Sequence, residues 1–84
     1  MRKRAQVILY SKPGCHLCEK MKAEMAKADC AHLYEIKEIN IETDPQLLAR
    51  YRNDIPILII NGEEAFKHRL SAEAFRSYLA EDVR

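Results

Sequence analysis

Eighty-four residues make a single domain, 1–84, and a chain this short hides only about 60–65% of its unfolded surface, so its core is thin. With 48% hydrophobic and 32% charged residues it is too apolar for intrinsic disorder, and no apolar run exceeds the four residues of Ile57–Ile60, far short of a membrane span of roughly 20. Fourteen basic against thirteen acidic side chains leave a formal charge of +1, which gives little drive toward nucleic acid or an anionic membrane surface.

The chain opens on Arg2-Lys3-Arg4, which reads as a solvated terminus. No apolar stretch follows it of the kind a signal peptide carries, so the sequence predicts a cytoplasmic protein. Val7-Ile8-Leu9-Tyr10 is short, apolar and partly β-branched, the pattern of a buried strand. Ser11-Lys12-Pro13-Gly14 breaks it. From Cys15 the period changes: Cys18, Met21, Met25 and Ala28 recur at three- and four-residue steps while charged residues fill the positions between. This predicts an amphipathic helix of about three turns that fades around Asp29–His32. The two methionines belong to its core face, where flexible thioethers fill irregular gaps.

Tyr34 to Ile41 is a second strand whose alternation slips. Tyr34 and Ile36 share one phase, Ile39 and Ile41 the other, which a bulge or a late start at an edge strand explains. Thr43-Asp44-Pro45 opens a helix through Leu47, Leu48 and Tyr51 to near Asn53, with an oxygen-bearing cap ahead of a first-turn proline. Ile57–Ile60 is a third strand. Asn61-Gly62 turns it into a hairpin with Glu63–His68, since both turn positions tolerate positive φ. Ser71 caps a last helix carrying Ala74, Phe75, Tyr78 and Leu79 on its apolar face. The predicted order is β-α-β-α-β-β-α, an α/β chain with a right-handed crossover between its first two strands and an antiparallel hairpin at the end.

Three cysteines are an odd number and too few for a secreted disulfide framework. Cys30 stands alone and is expected to pack at the end of the first helix. Cys15-His16-Leu17-Cys18 lies where a strand meets a helix, and that context makes a Cys-x-x-Cys pattern a redox motif. Side chains three apart on a helical turn come close enough for a disulfide, and the first cysteine meets the unpaired N–H groups and positive dipole end of the helix. An ordinary thiol with pKa about 8.5 is only about 3% thiolate at neutral pH. Lowering it by about three units takes about 4 kcal/mol, of which a helix terminus gives at most about 2 kcal/mol. Hydrogen bonds from helix N–H groups and from the Cys18 thiol, with Lys12 nearby, must supply the rest. Cys15 is therefore the candidate nucleophile and Cys18 the candidate resolving thiol. The competing uses of the pair are a metal-binding dithiol and an inert remnant. Zinc needs four ligands, and neither a second Cys-x-x-Cys nor a His-x-x-x-His occurs, so no metal site is predicted.

Ser-Lys-Pro-Gly-Cys15-His-Leu-Cys18 resembles the active-site segment of glutaredoxins, which commonly reads Thr/Ser-Lys-x-x-Cys-Pro-Tyr-Cys. Ile55-Pro56 resembles their Val-Pro, and Ile59-Ile60-Asn61-Gly62 is similar to their Phe-Ile-Asn-Gly before the last strand. The element order agrees as well, so the resemblance spans nearly the whole chain and is closest to small bacterial glutaredoxin-like proteins. It implies a thioredoxin-like fold with a four-stranded mixed sheet and three helices. It also implies a thiol–disulfide oxidoreductase that is re-reduced by a thiol system and needs no bound cofactor. By position, the Ile55–Pro56 bond is cis, the Ile55 backbone pairs with the substrate backbone, and Lys12 meets a substrate carboxylate or the thiolate. Two departures stand out. Glutaredoxins follow the hairpin with a Gly-Gly pair that approaches glutathione, where this chain has Phe66-Lys67, so glutathione as reductant or substrate stays open. The residues between the cysteines are His-Leu, and a protonated His16 favours a thiolate as readily as it decorates a helix start.

The sequence thus predicts a monomeric enzyme acting on protein or glutathione-type disulfides. The alternatives are an iron–sulfur or metal carrier that binds through Cys15 and an interaction module with vestigial cysteines.

Overall fold

In the computed structural model, which describes residues 4–82, seven elements alternate as β1 (Ala5–Ser11), α1 (His16–Ala28), β2 (Tyr34–Asn40), α2 (Pro45–Tyr51), β3 (Ile57–Ile60), β4 (Glu63–Lys67) and α3 (Ala72–Asp82). Short 3₁₀ turns at Ala31–Leu33 and Ile41–Thr43 precede β2 and α2. Of the basic opening, Arg2 and Lys3 lie outside the described residues and Arg4 is exposed.

The strands form one sheet in the order β2-β1-β3-β4. β1 pairs parallel with β2 and antiparallel with β3, and β3 pairs antiparallel with β4. Alternation along β1 decides what each face meets. Ala5, Val7 and Leu9 are buried on the side covered by α1 and α3, where they pack with Met21, Met25, Leu58, Ile60, Phe75 and Leu79, and Ser11 is buried at the end of the strand. Each such large side chain contributes about 1.5–3 kcal/mol by leaving water. On the opposite face Tyr10 stacks on Tyr51 of α2, with ring centroids 4.9 Å apart. Cys30 is buried in the main core at the end of α1.

β2 is an edge strand, as its broken alternation suggests, but it carries no bulge: its seven residues pair with β1 in unbroken register. The phase slip has another origin. Ile36 stands on the exposed edge at 47%, while Ile41 has left the strand and is buried in the following 3₁₀ turn. The sheet's irregularity lies instead in β4, where Leu58 pairs with Phe66 but Ile59 pairs with Glu64. Ala65 is the extra residue, and it lets both Ala65 and Phe66 pack on the core, which strict alternation forbids.

Helix ends are closed by the expected residues and by some remote ones. Asp29 stops α1 in a left-handed conformation, φ 53°. Arg76 of α3 donates to the Ala28 carbonyl at the end of α1, and Glu24 of α1 accepts the Ala72 N–H at the start of α3 at 2.9 Å, so the two helices cap one another. The Ser71 hydroxyl accepts the Ala74 N–H at 3.1 Å. At α2 the Asp44 carboxylate accepts the Gln46 N–H at 2.9 Å, with Pro45 next in the chain. Asp44→Ala leaves that donor unmet, and thermal unfolding is expected to show a loss of about 1 kcal/mol, a drop of about 4–8 °C in Tm.

A polar network ties β1, β2 and α1 below the cysteines. Buried Ser11 donates to Glu38 at 2.7 Å, and Lys22 bridges Glu38 at 3.2 Å and Glu19 at 2.9 Å. The Ser11 hydrogen bond, with Lys22 reinforcing it against partial burial, holds the Glu38 carboxyl below the usual value near 4.5. A depressed carboxyl stabilises the fold above its unfolded pKa, and that contribution is lost as pH falls through the folded value. The Glu38 side chain is 43% exposed, so solvent screening keeps its share within about 1 kcal/mol. Urea unfolding of Glu38→Gln is expected to lose part of the stability decline below about pH 4.5 that wild type shows.

Candidate active site

The break between β1 and α1 puts two sulfurs at a helix start. Pro13 and Gly14 turn the chain, Gly14 with φ 76°, and the Cys15 N–H donates to the Lys12 carbonyl at 3.3 Å to close the turn. Cys15 is thereby the N-cap of α1, and its sulfur accepts the Cys18 N–H at 3.1 Å. A cap residue ordinarily offers a side-chain oxygen to that orphan donor; here sulfur takes the place. Cys15 and Cys18 are joined as a disulfide with Cα atoms 5.2 Å apart. Cys15 is half-buried, whereas Cys18 is 1% exposed. When the bond is reduced, a negative charge on Cys15 meets a backbone donor and the positive end of a 13-residue helix, while Cys18 stays dry one turn inward.

Around Cys18 a second, smaller core closes. Ile41 and Ile55 are buried against it, and Tyr10, Leu47, Leu48 and Tyr51 pack on the outside together with Cys15. Sequence reading missed this wall. Ile41 carried a signal, since it stands where the strand's phase slips, but only the sheet brings it to the cysteine.

Ile55 and Pro56 lie beside this cluster, joined by a cis peptide bond, with Pro56 wholly buried. The β1–β3 ladder has rungs at Ile8–Ile59 and Tyr10–Ile57, so the next one falls at Lys12 opposite Ile55. The chain has already turned there, and among the described residues neither the N–H nor the C=O of Ile55 has a hydrogen-bond partner. Cys15, Cys18 and Ile55 are therefore brought together. Lys12 joins them through its backbone carbonyl, while its side chain is exposed and forms no ion pair among the described residues. His16 is exposed at the first position of α1.

Within β4, Phe66 meets Tyr78 edge-on at 5.7 Å, and Lys67 is 3.9 Å from both Asp54 and Glu64. The backbone turns one residue later, at His68, whose φ of 68° is uncommon for a residue with a side chain. Its N–H donates to the Pro56 carbonyl at 2.7 Å, which locks the turn to the cis-proline segment.

No described helix is long and apolar enough to cross a membrane. Residues 6–80 match the family model described as Glutaredoxin-like domain (DUF836). A "Glutaredoxin-like protein YDR286C homolog" from Dictyostelium discoideum is 29% identical over 77 residues, covering 84% of this chain and 71% of its own. The X-ray structure of target protein XcR50 from X. campestris superposes with a TM-score of 0.76 at 23% identity, over 89% of this chain and 96% of that one. Oxidised mitochondrial thioredoxin 3 from Saccharomyces cerevisiae superposes at 0.58 and 14% identity, over 96% and 77% of the two chains. The last two carry the fold alone, a thioredoxin fold with a four-stranded mixed sheet and three helices, and the family match adds the rest: with its cysteine pair at disulfide distance, this chain belongs to the glutaredoxin-like domain family.

Proposed function

We propose that this protein is a thiol–disulfide oxidoreductase that reduces protein or low-molecular-weight disulfides through Cys15 and Cys18. The observation that carries the reading is the asymmetry of the pair, one sulfur half-exposed at the N-cap of α1 with an N–H directed at it and the other buried a turn further in. In the proposed cycle the Cys15 thiolate attacks one sulfur of the substrate disulfide. The second substrate sulfur leaves with the bonding electron pair and takes up a proton. Cys18, deprotonated, then attacks the Cys15 sulfur of the mixed disulfide, releases the remaining substrate thiol and leaves the Cys15–Cys18 disulfide. Two electrons pass to the substrate, and an external thiol, glutathione or a protein dithiol, returns them.

In this reading the unpaired N–H and C=O of Ile55 accept the substrate backbone as an added strand, with Pro56 shaping the edge they share, and Lys12 stands at the mouth for a substrate carboxylate. The chemistry suits a monomer in the cytoplasm, where thiol reductants regenerate the pair and Cys30 stays free.

The pH dependence of iodoacetamide alkylation tests the reading. Reduced protein is expected to lose Cys15 thiol with a midpoint at least about one unit below the ordinary thiol value of about 8.5. A Cys15 that titrates at about 8.5 or above, in protein that also fails to speed reduction of a mixed disulfide, removes it.

A further inference from the structure

A groove that the cysteine chemistry does not need adjoins the pair through Leu17. It runs between α1 and the segment joining β4 to α3, encloses about 420 Å³, and starts at Leu17, the residue just before Cys18. Its apolar lining comes from Leu17, Met21 and Leu70, and its cationic groups are Lys20 and Arg69, with the His68 imidazole beside them. Leu17 is 37% exposed, one of two large apolar side chains left this open among the described residues. Leu17 adjoins Cys18 in the chain, so a substrate that covers it gains apolar burial beside the redox pair.

The charges along this groove are one-sided. Lys20, His68 and Arg69 form no ion pair or hydrogen bond through their side chains among the described residues. The acid that shares the groove, Glu24, is already committed: its carboxylate accepts the Ala72 N–H at 2.9 Å and meets Lys27 at 3.3 Å. The groove therefore presents an apolar floor with basic groups unmatched along it. Beside it, the first N–H of α3 is taken by the chain's own Glu24 carboxylate.

We infer that this groove selects the substrate, docking a polypeptide segment that carries an apolar side chain and acidic residues beside its disulfide cysteine. The inference rests on the proposed oxidoreductase reading and deepens it by naming the substrate class. A polypeptide fits better than a small anionic disulfide such as that of glutathione for two reasons on the molecule. Glutathione has no apolar side chain to cover Leu17 and Leu70. The helix-start amide at Ala72, a ready partner for a small carboxylate, is occupied by Glu24. Matched charge raises the rate of encounter and fixes register, and the apolar contact gives the residence time.

The test compares disulfide-linked dimers of three short peptides: one with Leu and two Glu beside its Cys, one with Lys for both Glu, and one with Ser for Leu. Pre-reduced full-length protein reduces each in a single turnover, alongside glutathione disulfide. The Leu/Glu peptide is expected to react on the order of tenfold faster than the Leu/Lys peptide at low salt, and several-fold faster than the Ser/Glu peptide. The double substitution Lys20→Glu, Arg69→Glu is expected to erase or invert the charge preference, and Leu17→Ser the apolar one; all three sites are exposed, and circular dichroism checks that the variants fold. Equal rates for the three peptides, or faster reduction of glutathione disulfide than of the Leu/Glu peptide, overturn the groove while leaving the oxidoreductase standing. If nothing is reduced, the oxidoreductase reading fails. Fluorescence anisotropy of labelled peptides with Ser for Cys then decides the groove by itself: a preference for the acidic peptide that the double variant loses supports docking, and no preference ends it.

Discussion

Cys15→Ser is expected to drop disulfide reduction to the uncatalysed background, a loss on the order of a thousandfold or more, while Cys18→Ser is expected to stop the cycle at a different point. The asymmetry of the site separates the two. Cys15 is the sulfur that reaches solvent and receives the Cys18 N–H at 3.1 Å, so a hydroxyl in its place keeps the hydrogen bond but has no accessible anion near neutral pH. In Cys18→Ser the exposed thiol remains, its N–H donor remains, and the first attack proceeds. The mixed disulfide then has no neighbouring thiol to resolve it and accumulates at one equivalent per protein. Mass spectrometry of each variant after exposure to a peptide disulfide distinguishes the outcomes: no adduct on Cys15→Ser, one on Cys18→Ser. An adduct on Cys18 in the Cys15→Ser protein reverses the proposed roles of the two sulfurs. Because Cys18 is 1% exposed, that result also requires α1 to open at its first turn.

What could be read from the sequence was what is encoded locally. Val7 to Leu9 announced β1 because a buried strand needs little beyond an apolar β-branched run. Asp44-Pro45 announced α2 because a cap and a fixed φ act within one turn, and Asn61-Gly62 announced the hairpin because two adjacent positive φ angles, 50° and 84° here, suit few other residue pairs. Cys15 and Cys18 were found by the same logic, since a helical turn alone brings them together. The parts that escaped depend on partners distant in the chain. Ile41 reaches Cys18 only because the sheet holds β2 beside β1, and Glu24 caps α3 across 48 residues of chain. The extra residue Ala65 and the left-handed His68 follow from the need to turn two side chains into one core and then return to the cis-proline segment. Nothing in the run Glu-Glu-Ala-Phe-Lys-His signals either feature. The placement of the cysteine pair was thus legible, whereas the wall around it and the groove beside it were not.

The thin core makes stability depend heavily on single large side chains, and Phe75→Ala is expected to have the largest effect of any single truncation in the main core. Phe75 is fully buried on α3, meets Tyr34 edge-on at 5.2 Å, and belongs to the cluster that joins β1, β3 and α1. Removing its ring deletes the transfer energy of the largest fully buried side chain and leaves a cavity between α3 and the sheet, a loss of about 3–5 kcal/mol. Domains near this size commonly have only about 5–10 kcal/mol to lose. Each kcal/mol moves Tm by about 4–8 °C, so calorimetry is expected to show a fall of at least about 12 °C. Leu79→Ala, in the same cluster, removes a smaller side chain and is expected to lose about 2–5 kcal/mol. The exposed Ile36→Ala on the sheet edge is expected to change stability by no more than about 1 kcal/mol. If Ile36→Ala lowers Tm as far as Phe75→Ala does, burial is not what orders these costs. The edge strand then carries stability that its 47% exposure does not account for.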